Sequence, residues 1–380
     1  MNLPISQLSG GIYRRILKPI LFKASPDAVH HGMIRLGAGV QKVGFLRWLM
    51  RKSWAYQNPR ILGQTICGVD FENPLGLSAG LDKNAEIAPV CAQIGFGQAE
   101  FGSMTFQKCA GNPRPWFYRL PKSKSIVVHV GLANDGIRAN LHRLSRYSPK
   151  QMRNLRVNIS VAYTNLPRQI SLSEAIDDYL GSLKAIQKYR GDGKIALITL
   201  SISCPNTFGG EPFTKPDNLE KLLQKVDALE IRQPIFIKMP SDKSPIEFEK
   251  LLRVIVRHRI CGVTIANLKK DRVGLKDDLP DEVQGSLSGR PTFDGSNKLI
   301  ALTYKKFGKK LKISGVGGVF SADDAYAKIR AGASLVQMVT GLMFLGPQIV
   351  GKINRGLVKL LKRDGFSNVA DAVGVDAGKY

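Results

Sequence analysis

The chain has 380 residues, 43% of them hydrophobic, and its 56 lysines and arginines exceed its 30 aspartates and glutamates to give a net charge of +26. This length suits one barrel-sized domain with a small additional module. So large a charge attracts nucleic acid or anionic lipid. Because no zinc-ligand spacing, RNA-binding aromatic signature or basic heptad helix accompanies it, we favour a membrane surface or a role in solubility over nucleic acid.

Residues 1–53 carry a helical pattern unlike the rest of the chain. Apolar side chains recur at helical spacing with basic ones between them: Ile12, Tyr13, Ile16, Leu17, Ile20 and Leu21, with Arg14, Arg15 and Lys18. Ser25-Pro26-Asp27 then predicts the N-cap, first proline and early acid of a second helix. Short basic amphipathic helices of this kind suit a membrane interface, and the same pattern is also typical of a helical cap packed on a main domain.

From about residue 60 apolar, strand-like runs alternate with helical stretches. Eight such runs lie at 75–78, 97–103, 155–161, 195–202, 234–239, 262–266, 311–316 and 334–338. Helical patterns fall between most of them, for example at 217–229, 246–258 and 322–331. Eight such units predict an α/β fold, a (β/α)8 TIM barrel over residues 54–380 that follows the N-terminal amphipathic helical module. The runs 61–66 and 69–71 predict a hairpin that closes the N-terminal mouth of this barrel.

The cysteines and the apolar runs bear on compartment and membrane topology. Five cysteines, at positions 67, 91, 109, 204 and 261, form no CxxC pair and are odd in number. This usage indicates a reducing compartment. No apolar run approaches the ~20 residues that a spanning helix needs, and no small-residue cleavage site follows a signal-type core near the N-terminus.

Several predicted strands end in residues that suit a phosphate and a polar ring. These residues are Ala79-Gly80-Leu81-Asp82-Lys83, Gly102-Ser103, Asn158, Lys238, Asn267, Gly315-Val316-Gly317-Gly318 and Thr340-Gly341. Glycine-rich turns after strands 7 and 8 that lead into helix N-termini form the phosphate site of many such barrels. Two lysines at strand ends indicate an anionic cofactor or substrate, and the less favoured alternative is that Lys83 pairs with a carboxylate at the barrel rim.

Cys204 follows the fourth predicted strand, in the run Ser203-Cys204-Pro205-Asn206-Thr207. The carboxyl ends of the strands are where an α/β barrel keeps its chemistry, so this thiol is the candidate reactive group. A lone cysteine packed as a small hydrophobe is the alternative interpretation.

The chain resembles the dihydroorotate dehydrogenase family, and most closely its membrane-associated, quinone-reducing class. The resemblance covers nearly the whole chain. Its densest pieces are Asn73–Lys83, Gly111-Asn112-Pro113-Arg114-Pro115, Ser203–Thr207, Leu287-Ser288-Gly289-Arg290-Pro291, Gly315-Val316-Gly317-Gly318-Val319 and the stretch Lys328–Gln337. It implies an enzyme that binds FMN across the top of the barrel, oxidises dihydroorotate to orotate in pyrimidine biosynthesis and reduces a quinone.

The resemblance also assigns residues. FMN would contact Ala79, Gly80, Lys83, Ser103, Asn158, Lys238, Ser288, Gly289, Gly317, Gly318 and Thr340. The substrate would contact Lys83, Val128, Leu132, Ser201, Asn206 and Asn267, with Cys204 as the catalytic base. His30 and Arg119 match positions near the quinone, and residues 1–53 match the quinone-tunnel module. No metal and no nucleic acid is implied. The implied location is peripheral to an anionic membrane surface, at the cytoplasmic face of the bacterial inner membrane.

The substrate positions depart from the family pattern more than the cofactor positions do. Cys204 replaces the serine of the quinone class, and a thiol, with a free pKa of ~8.5, yields a base more readily than a hydroxyl. The family holds orotate with four asparagines, of which Asn206 and Asn267 remain while Val128 and Ser201 replace the others. Leu268 and Val339 replace a hydroxyl residue and an aromatic one. Each lost polar ring contact costs ~1–3 kcal/mol of binding.

Three interpretations therefore stay open. The first is a quinone-dependent enzyme that acts on dihydroorotate, and the second is an FMN oxidoreductase of the same family that acts on another small cyclic compound. The third is a flavin-binding protein that has lost catalysis.

Overall fold

The structure is a computed structural model that describes residues 5–189, 191 and 195–380. Its strands are β1 Gln64–Ile66, β2 Val69–Phe71, β3 Leu75–Leu77, β4 Gln98–Met104, β5 Phe117–Leu120, β6 Ser125–Val128, β7 Arg156–Val161, β8 Ile195–Ser201, β9 Ile235–Lys238, β10 Gly262–Ile265, β11 Ser286–Gly289, β12 Lys312–Val316 and β13 Leu335–Met338. Its helices are α1 Ile5–Ile12, α2 Lys18–Lys23, α3 Pro26–Val40, α4 Gly44–Trp54, α5 Pro59–Leu62, α6 Ala88–Ile94, α7 Ile137–Ser145, α8 Pro149–Met152, α9 Leu172–Lys188, α10 Pro216–Asp227, α11 Pro245–Ile255, α12 Phe293–Phe307, α13 Ala322–Ala331, α14 Thr340–Leu345 and α15 Ile349–Arg363.

Eight parallel strands close into a barrel in the order β3, β4, β7, β8, β9, β10, β12 and β13, with β13 paired to β3. The predicted (β/α)8 fold is confirmed, and each of the eight predicted runs is a barrel strand. Near-continuous burial explains the signal, because β9, β10 and β13 are buried at every position. Strands covered on both faces are apolar without alternation.

A short antiparallel hairpin lies at the amino end of the barrel, as predicted. Strands β1 and β2 pair there, and Ile66 and Phe71 pack against Leu197, Phe236 and Leu335 of the barrel. The predicted first strand is too long, because 61–62 belong to helix α5. Cys67 in the hairpin turn forms a disulfide with Cys261, 194 residues away. The sequence analysis paired no cysteines, because so long a separation gives no local sequence signal.

The N-terminal module consists of α1, a π-helical turn at Tyr13–Leu17, and helices α2 to α4. The predicted second helix is present as α3, but the Ser25 side chain makes no capping hydrogen bond. Asp27 is buried instead, and its carboxylate accepts hydrogen bonds from the backbone N–H groups of Trp116 and Phe117 in and beside β5. Asp27 therefore ties the module to the barrel. Within the described ranges, none of the helices combines the length and the apolar character of a membrane-spanning segment.

A second sheet, not predicted from the sequence, stands beside the carboxyl ends of the barrel strands. It has three antiparallel strands in the order β11-β6-β5, with Val128 opposite Ser286 and Phe117. This sheet places Val128, Ser288 and Gly289 next to the barrel mouth.

Candidate active site

A cavity with about 1210 Å³ of empty space, part of it open to solvent, lies at the carboxyl ends of the barrel strands. Nearly all of the predicted site residues line it: Ala79, Gly80, Lys83, Ser103, Val128, Leu132, Ser201, Cys204, Asn206, Lys238, Asn267, Ser288, Gly289, Gly317, Gly318 and Thr340. Ser78 and Thr292, which the sequence analysis did not single out, line it as well. The structure thus brings together residues from seven barrel strands and the second sheet.

One end of the cavity is a neutral cradle of loops after β12 and β13. Gly317 and Gly318 have φ of 110° and 69°, and a Cβ on Gly317 would lie 2.5 Å from Thr292 Oγ1. Only glycine suits such positions. Ser288 Oγ and Thr340 Oγ1 lie 2.9 Å apart at the facing side. Helix α13 begins only at Ala322, so the glycine turn does not lead directly into a helix as predicted, whereas α14 does begin at Thr340.

The cavity wall also includes Lys238 of β9, which belongs to a buried ion pair. Lys238 Nζ lies 4.0 Å from Glu100 Oε1, and both side chains are buried. Glu100 Oε2 accepts a hydrogen bond from Gln337 (2.8 Å) and from Asn158 (3.2 Å). Asn158 therefore faces the barrel interior and is absent from the cavity lining, in contrast to the flavin contact predicted for it. The sequence analysis missed Glu100, because a single acid within an apolar strand carries no motif.

Lys83 is held at the cavity by the loop that follows β3. The buried Asp82 carboxylate accepts 2.9 Å hydrogen bonds from the backbone N–H groups of Glu86 and Ile87, which fixes the loop. Burial raises the pKa of Asp82 to about 6 and lowers the pKa of Lys83 to about 8. In the described part of the chain, Lys83 Nζ contacts His30 Nε2 at 3.0 Å rather than a rim carboxylate. The alternative of a simple rim ion pair therefore loses its support.

Cys204 lines the cavity on the loop after β8. Burial raises the pKa of its thiol to about 11, while the backbone N–H of Asn206 and the charge of Lys238 act in the opposite direction. The thiol is thus protonated at neutral pH. Desolvation outweighs the favourable contacts and makes the thiol a poorer source of base than its free pKa indicates.

Polar and apolar groups share the wall around Cys204. Asn206 Nδ2 donates to the backbone oxygen of Val128 (2.9 Å), and Asn267 Nδ2 donates to Ser203 Oγ (3.2 Å). Leu132 has a φ of +63°, an unusual conformation for a branched side chain at a cavity wall. Val128 offers no polar side-chain atom, and the Ser201 side chain is short. The two retained asparagines are held in place, and no carboxamide occupies the other two positions.

A second cavity, of about 2030 Å³ including open solvent, lies between the N-terminal helices and the barrel. Its lining is almost wholly apolar, and it includes His30 and Arg119 as predicted. Three residues, Phe117, Ile126 and Met343, line both cavities and form the wall between them. Tyr13, which the sequence analysis counted only as part of an apolar stripe, also lines this cavity, and its hydroxyl donates to the Met343 backbone oxygen at 2.6 Å.

His30 connects the two cavities. Its ring lies 5.1 Å from the Phe117 ring, and its Nε2 contacts Lys83 of the first cavity. Burial, with the nearby charge of Lys83, lowers the pKa of His30 to about 3, so the ring is neutral. Because an ammonium only donates, Nε2 accepts and the proton resides on Nδ1. Within the described residues, Nδ1 has no hydrogen-bond partner.

The closed parallel barrel, with its cradle and cationic side chains at the carboxyl ends of the strands, defines an α/β-barrel enzyme. The chain belongs to the dihydroorotate dehydrogenase family, whose model matches residues 61–361. A protein of Deinococcus deserti named dihydroorotate dehydrogenase (quinone) is 34% identical, over 96% of this chain and 100% of that protein. A Deinococcus radiodurans protein of the same name is 35% identical, over 94% and 98%.

Solved structures agree with this assignment. A crystal structure of Eimeria tenella DHODH in complex with ferulenol has a TM-score of 0.79 and 26% identity, and it covers 92% of this chain and 95% of that chain. The ligand-free Eimeria tenella DHODH has a TM-score of 0.81 and 25% identity, over 92% and 98%.

Proposed function

We propose that this protein is an FMN-dependent oxidoreductase that oxidises dihydroorotate to orotate and passes the electrons to a quinone. The observation that carries the proposal is the pair of cavities that share one thin wall of Phe117, Ile126 and Met343. A polar cavity with two lysines suits an anionic cofactor and substrate. An almost wholly apolar cavity suits a lipid-like electron acceptor. Membership of the dihydroorotate dehydrogenase family supports the same assignment of one cavity to the cofactor and substrate and of the other to the electron acceptor.

The residues of the first cavity fit FMN. The bare backbone N–H groups at Gly317, Gly318 and Gly341 suit its phosphate, because side chains at the first two positions would clash with Thr292 and Phe293. Lys238, kept in place by Glu100, suits the pyrimidine edge of the ring, where negative charge gathers on reduction. When bound, FMN supplies a two-electron acceptor at this position.

The remaining wall residues serve the substrate. Lys83 provides a positive charge for the anionic substrate, and Asn206 and Asn267 hold its ring through their amides. Cys204 takes a proton from a ring carbon as a hydride leaves the adjacent one, so that the ring gains a double bond and loses two hydrogens. The raised pKa of the Cys204 thiol means that substrate binding must favour the thiolate, and Lys238 is the nearby cation that acts in this direction.

In the second cavity His30 and Arg119 position the quinone head group. The Nδ1–H of neutral His30 is the free donor that a quinone oxygen requires, and Lys83 fixes this tautomer through Nε2. Arg119 is anchored by hydrogen bonds from Nη1 to the backbone oxygens of Ala24 (2.7 Å) and Phe22 (3.2 Å). The apolar wall of the cavity suits the isoprenoid tail.

The N-terminal module suits attachment to an anionic membrane surface. Residues 1–54 contain nine lysines and arginines but one acid, Asp27, which is buried. Large apolar side chains on the same module are exposed, among them Ile16 (55%), Ile20 (62%) and Phe45 (65%). Such a surface favours peripheral binding with the tunnel mouth at the lipid. The finer location that we propose is the cytoplasmic face of a bacterial inner membrane.

A coupled assay tests this function. The purified protein, reconstituted with FMN, should convert dihydroorotate to orotate and reduce a long-chain quinone in equal amounts. If orotate forms with an artificial dye but not with a quinone, the proposal that a quinone is the electron acceptor is refuted. If no orotate forms with either acceptor, the proposal that dihydroorotate is the substrate is refuted.

A second candidate function rests on Val128 and Ser201. Because these side chains leave polar groups of an orotate ring without partners, an oxidoreductase acting on another small cyclic compound is favoured by this part of the wall. Titration with orotate distinguishes the two: a shift in the flavin spectrum at micromolar orotate supports dihydroorotate as substrate, and no shift supports the alternative.

A further inference from the structure

Lys328, on helix α13, is a fully buried lysine that does not line either cavity. Its Nζ donates to Ser296 Oγ at 2.5 Å and to Asn297 Oδ1 at 3.0 Å, both on α12. It lies 4.9 Å from the centroid of the Phe293 ring. Across residues 5–189, 191 and 195–380, no carboxylate oxygen lies within 4.0 Å of this ammonium. A buried charge without a counter-ion costs several kcal/mol, so an anion is expected nearby.

The neighbouring charged groups do not supply this anion. Asp324 is engaged by Arg290 in two hydrogen bonds of 2.9 and 3.0 Å, and Asp294 is exposed. Burial lowers the pKa of Lys328 to about 7, with Asp324 and Asp294 opposing this effect and Arg290 adding to it. The lysine therefore remains poorly compensated by the protein itself.

Lys328 lies directly behind the neutral cradle of the first cavity. Ser296 Oγ, which accepts from Lys328, would lie 3.3 Å from a Cβ on Gly317. The Lys328 Cδ would lie 3.4 Å from a Cβ on Gly315, so its stem packs behind the end of β12. Only one hydroxyl group separates the ammonium from the glycine turn.

The cradle itself carries no positive side chain. Its lining residues are Gly289, Thr292, Gly317, Gly318, Thr340 and Gly341, and the two lysines of the cavity wall, Lys83 and Lys238, belong to the ring and substrate positions. A phosphate held here by backbone N–H groups alone would keep nearly two negative charges in a poorly solvated site.

We propose that Lys328 is the counter-cation of the FMN phosphate, acting from behind the cradle through Ser296. The inference rests on the proposed FMN site and adds a residue that does not touch the cavity. It predicts opposite effects in the two states of the protein. Without flavin, the unpaired ammonium destabilises the fold, so its removal stabilises the apoprotein; with FMN bound, its removal weakens the complex.

The experiment compares wild type, Lys328→Met and the control Lys298→Met, which removes an exposed lysine of the neighbouring helix α12. Flavin-free protein is titrated with FMN and with riboflavin, which lacks the phosphate, and flavin fluorescence is followed. We expect Lys328→Met to bind FMN roughly 10- to 100-fold more weakly, from one charge acting across several ångströms of protein, with riboflavin affinity unchanged. Lys298→Met should leave both affinities unchanged. The melting temperature of flavin-free Lys328→Met should exceed that of flavin-free wild type.

Each other outcome overturns the proposal in a distinct way. Equal weakening of FMN and riboflavin by Lys328→Met would show a structural effect on the whole site. Unchanged FMN affinity would show that the charge of Lys328 does not stabilise the bound phosphate. If the wild type binds FMN no more tightly than riboflavin, the assignment of the cradle to the phosphate is refuted. If the wild type binds neither flavin, the proposed cofactor is refuted together with this inference. If Lys328→Met does not fold, Lys328→Gln, which keeps one donor without the charge, takes its place with the same expectations.

Discussion

The position of Cys204 in the cavity can be predicted from the sequence, but the protonation state of its thiol cannot. The strand before it and the turn after it place the thiol at the barrel mouth, and the structure finds it in the cavity wall. Its pKa depends on burial and on Lys238, 34 positions along the chain, and neither is visible in the local sequence. Asn158 and Glu100 make the same point, because the hydrogen bond between them joins residues 58 positions apart and is not visible in the local sequence.

The raised pKa of Cys204 predicts the pH dependence of substrate oxidation. The deprotonated thiolate is the active form, so the rate of flavin reduction at saturating dihydroorotate should rise with pH, by up to about tenfold per unit, until the pH reaches the pKa of the thiol in the substrate complex. Saturating substrate is needed because the Lys83 charge, with its pKa of about 8, is lost as the pH rises. Cys204→Ala should bind flavin normally but lose this slope, and Cys204→Ser should retain partial activity. A pH-independent rate in the wild type would contradict the base assignment.

Val128 and Ser201 predict a gain of function. The double change Val128→Asn, Ser201→Asn should lower the KM for dihydroorotate, because each new amide can pair with a ring group and contributes ~1–3 kcal/mol. Lys298→Met, at an exposed position outside the cavity, serves as the control and should leave KM unchanged. An unchanged or higher KM in the double variant would show that other groups or water already satisfy the ring.

At the scale of elements, burial decided what the sequence could predict. The eight barrel strands are apolar on both faces and were found, as was α13 from Ala322 to Ala331. The sheet of β5, β6 and β11 was missed, because β5 is partly exposed and β11 consists of Ser286-Leu287-Ser288-Gly289, with one apolar side chain. The role of Asp27 was misjudged as well: a first-turn acid of a helix and a tether between two elements look alike in sequence.

The tether between α3 and β5 gives a prediction at this scale. Asp27→Asn removes one acceptor and turns an amide N–H toward a backbone N–H of Trp116 or Phe117, which costs about 1–3 kcal/mol. Because α3 carries His30, quinone reduction should fall more than dye reduction, and the melting temperature should drop. Asp281→Asn, at an exposed loop position, is the control. Equal loss of both activities would show that Asp27 supports the barrel rather than the tunnel.

At the scale of the whole molecule, we propose separate tasks for residues 1–53, which complete the second cavity, and residues 54–380, which form the first. Deletion of residues 1–53 should leave a flavin-loaded barrel that reduces dyes with dihydroorotate but not long-chain quinones, because His30 and most of the apolar tunnel are removed. Full-length His30→Ala provides the matched test that keeps the module, and it should also lose quinone reduction selectively. Equal quinone reduction by the truncated and intact proteins would contradict the tunnel assignment.

The charge and the exposed apolar face of the module also belong to this scale. The sequence predicted an amphipathic module, and the structure shows apolar side chains exposed on it. The second cavity was indicated only by the family resemblance, because its wall is assembled from helices and loops far apart in the chain. Binding of the intact protein to anionic vesicles should weaken as salt rises. Salt-independent binding would indicate apolar insertion alone.

Oxidation of dihydroorotate at the first cavity is the central claim, and anaerobic stopped-flow mixing tests it most directly. Wild-type protein with its flavin oxidised is mixed with dihydroorotate, and the flavin absorbance is followed beside Cys204→Ala. The account predicts rapid bleaching in the wild type with one orotate formed per flavin, and no bleaching in Cys204→Ala. A wild-type flavin that stays oxidised with dihydroorotate, yet is bleached by dithionite, would contradict the account.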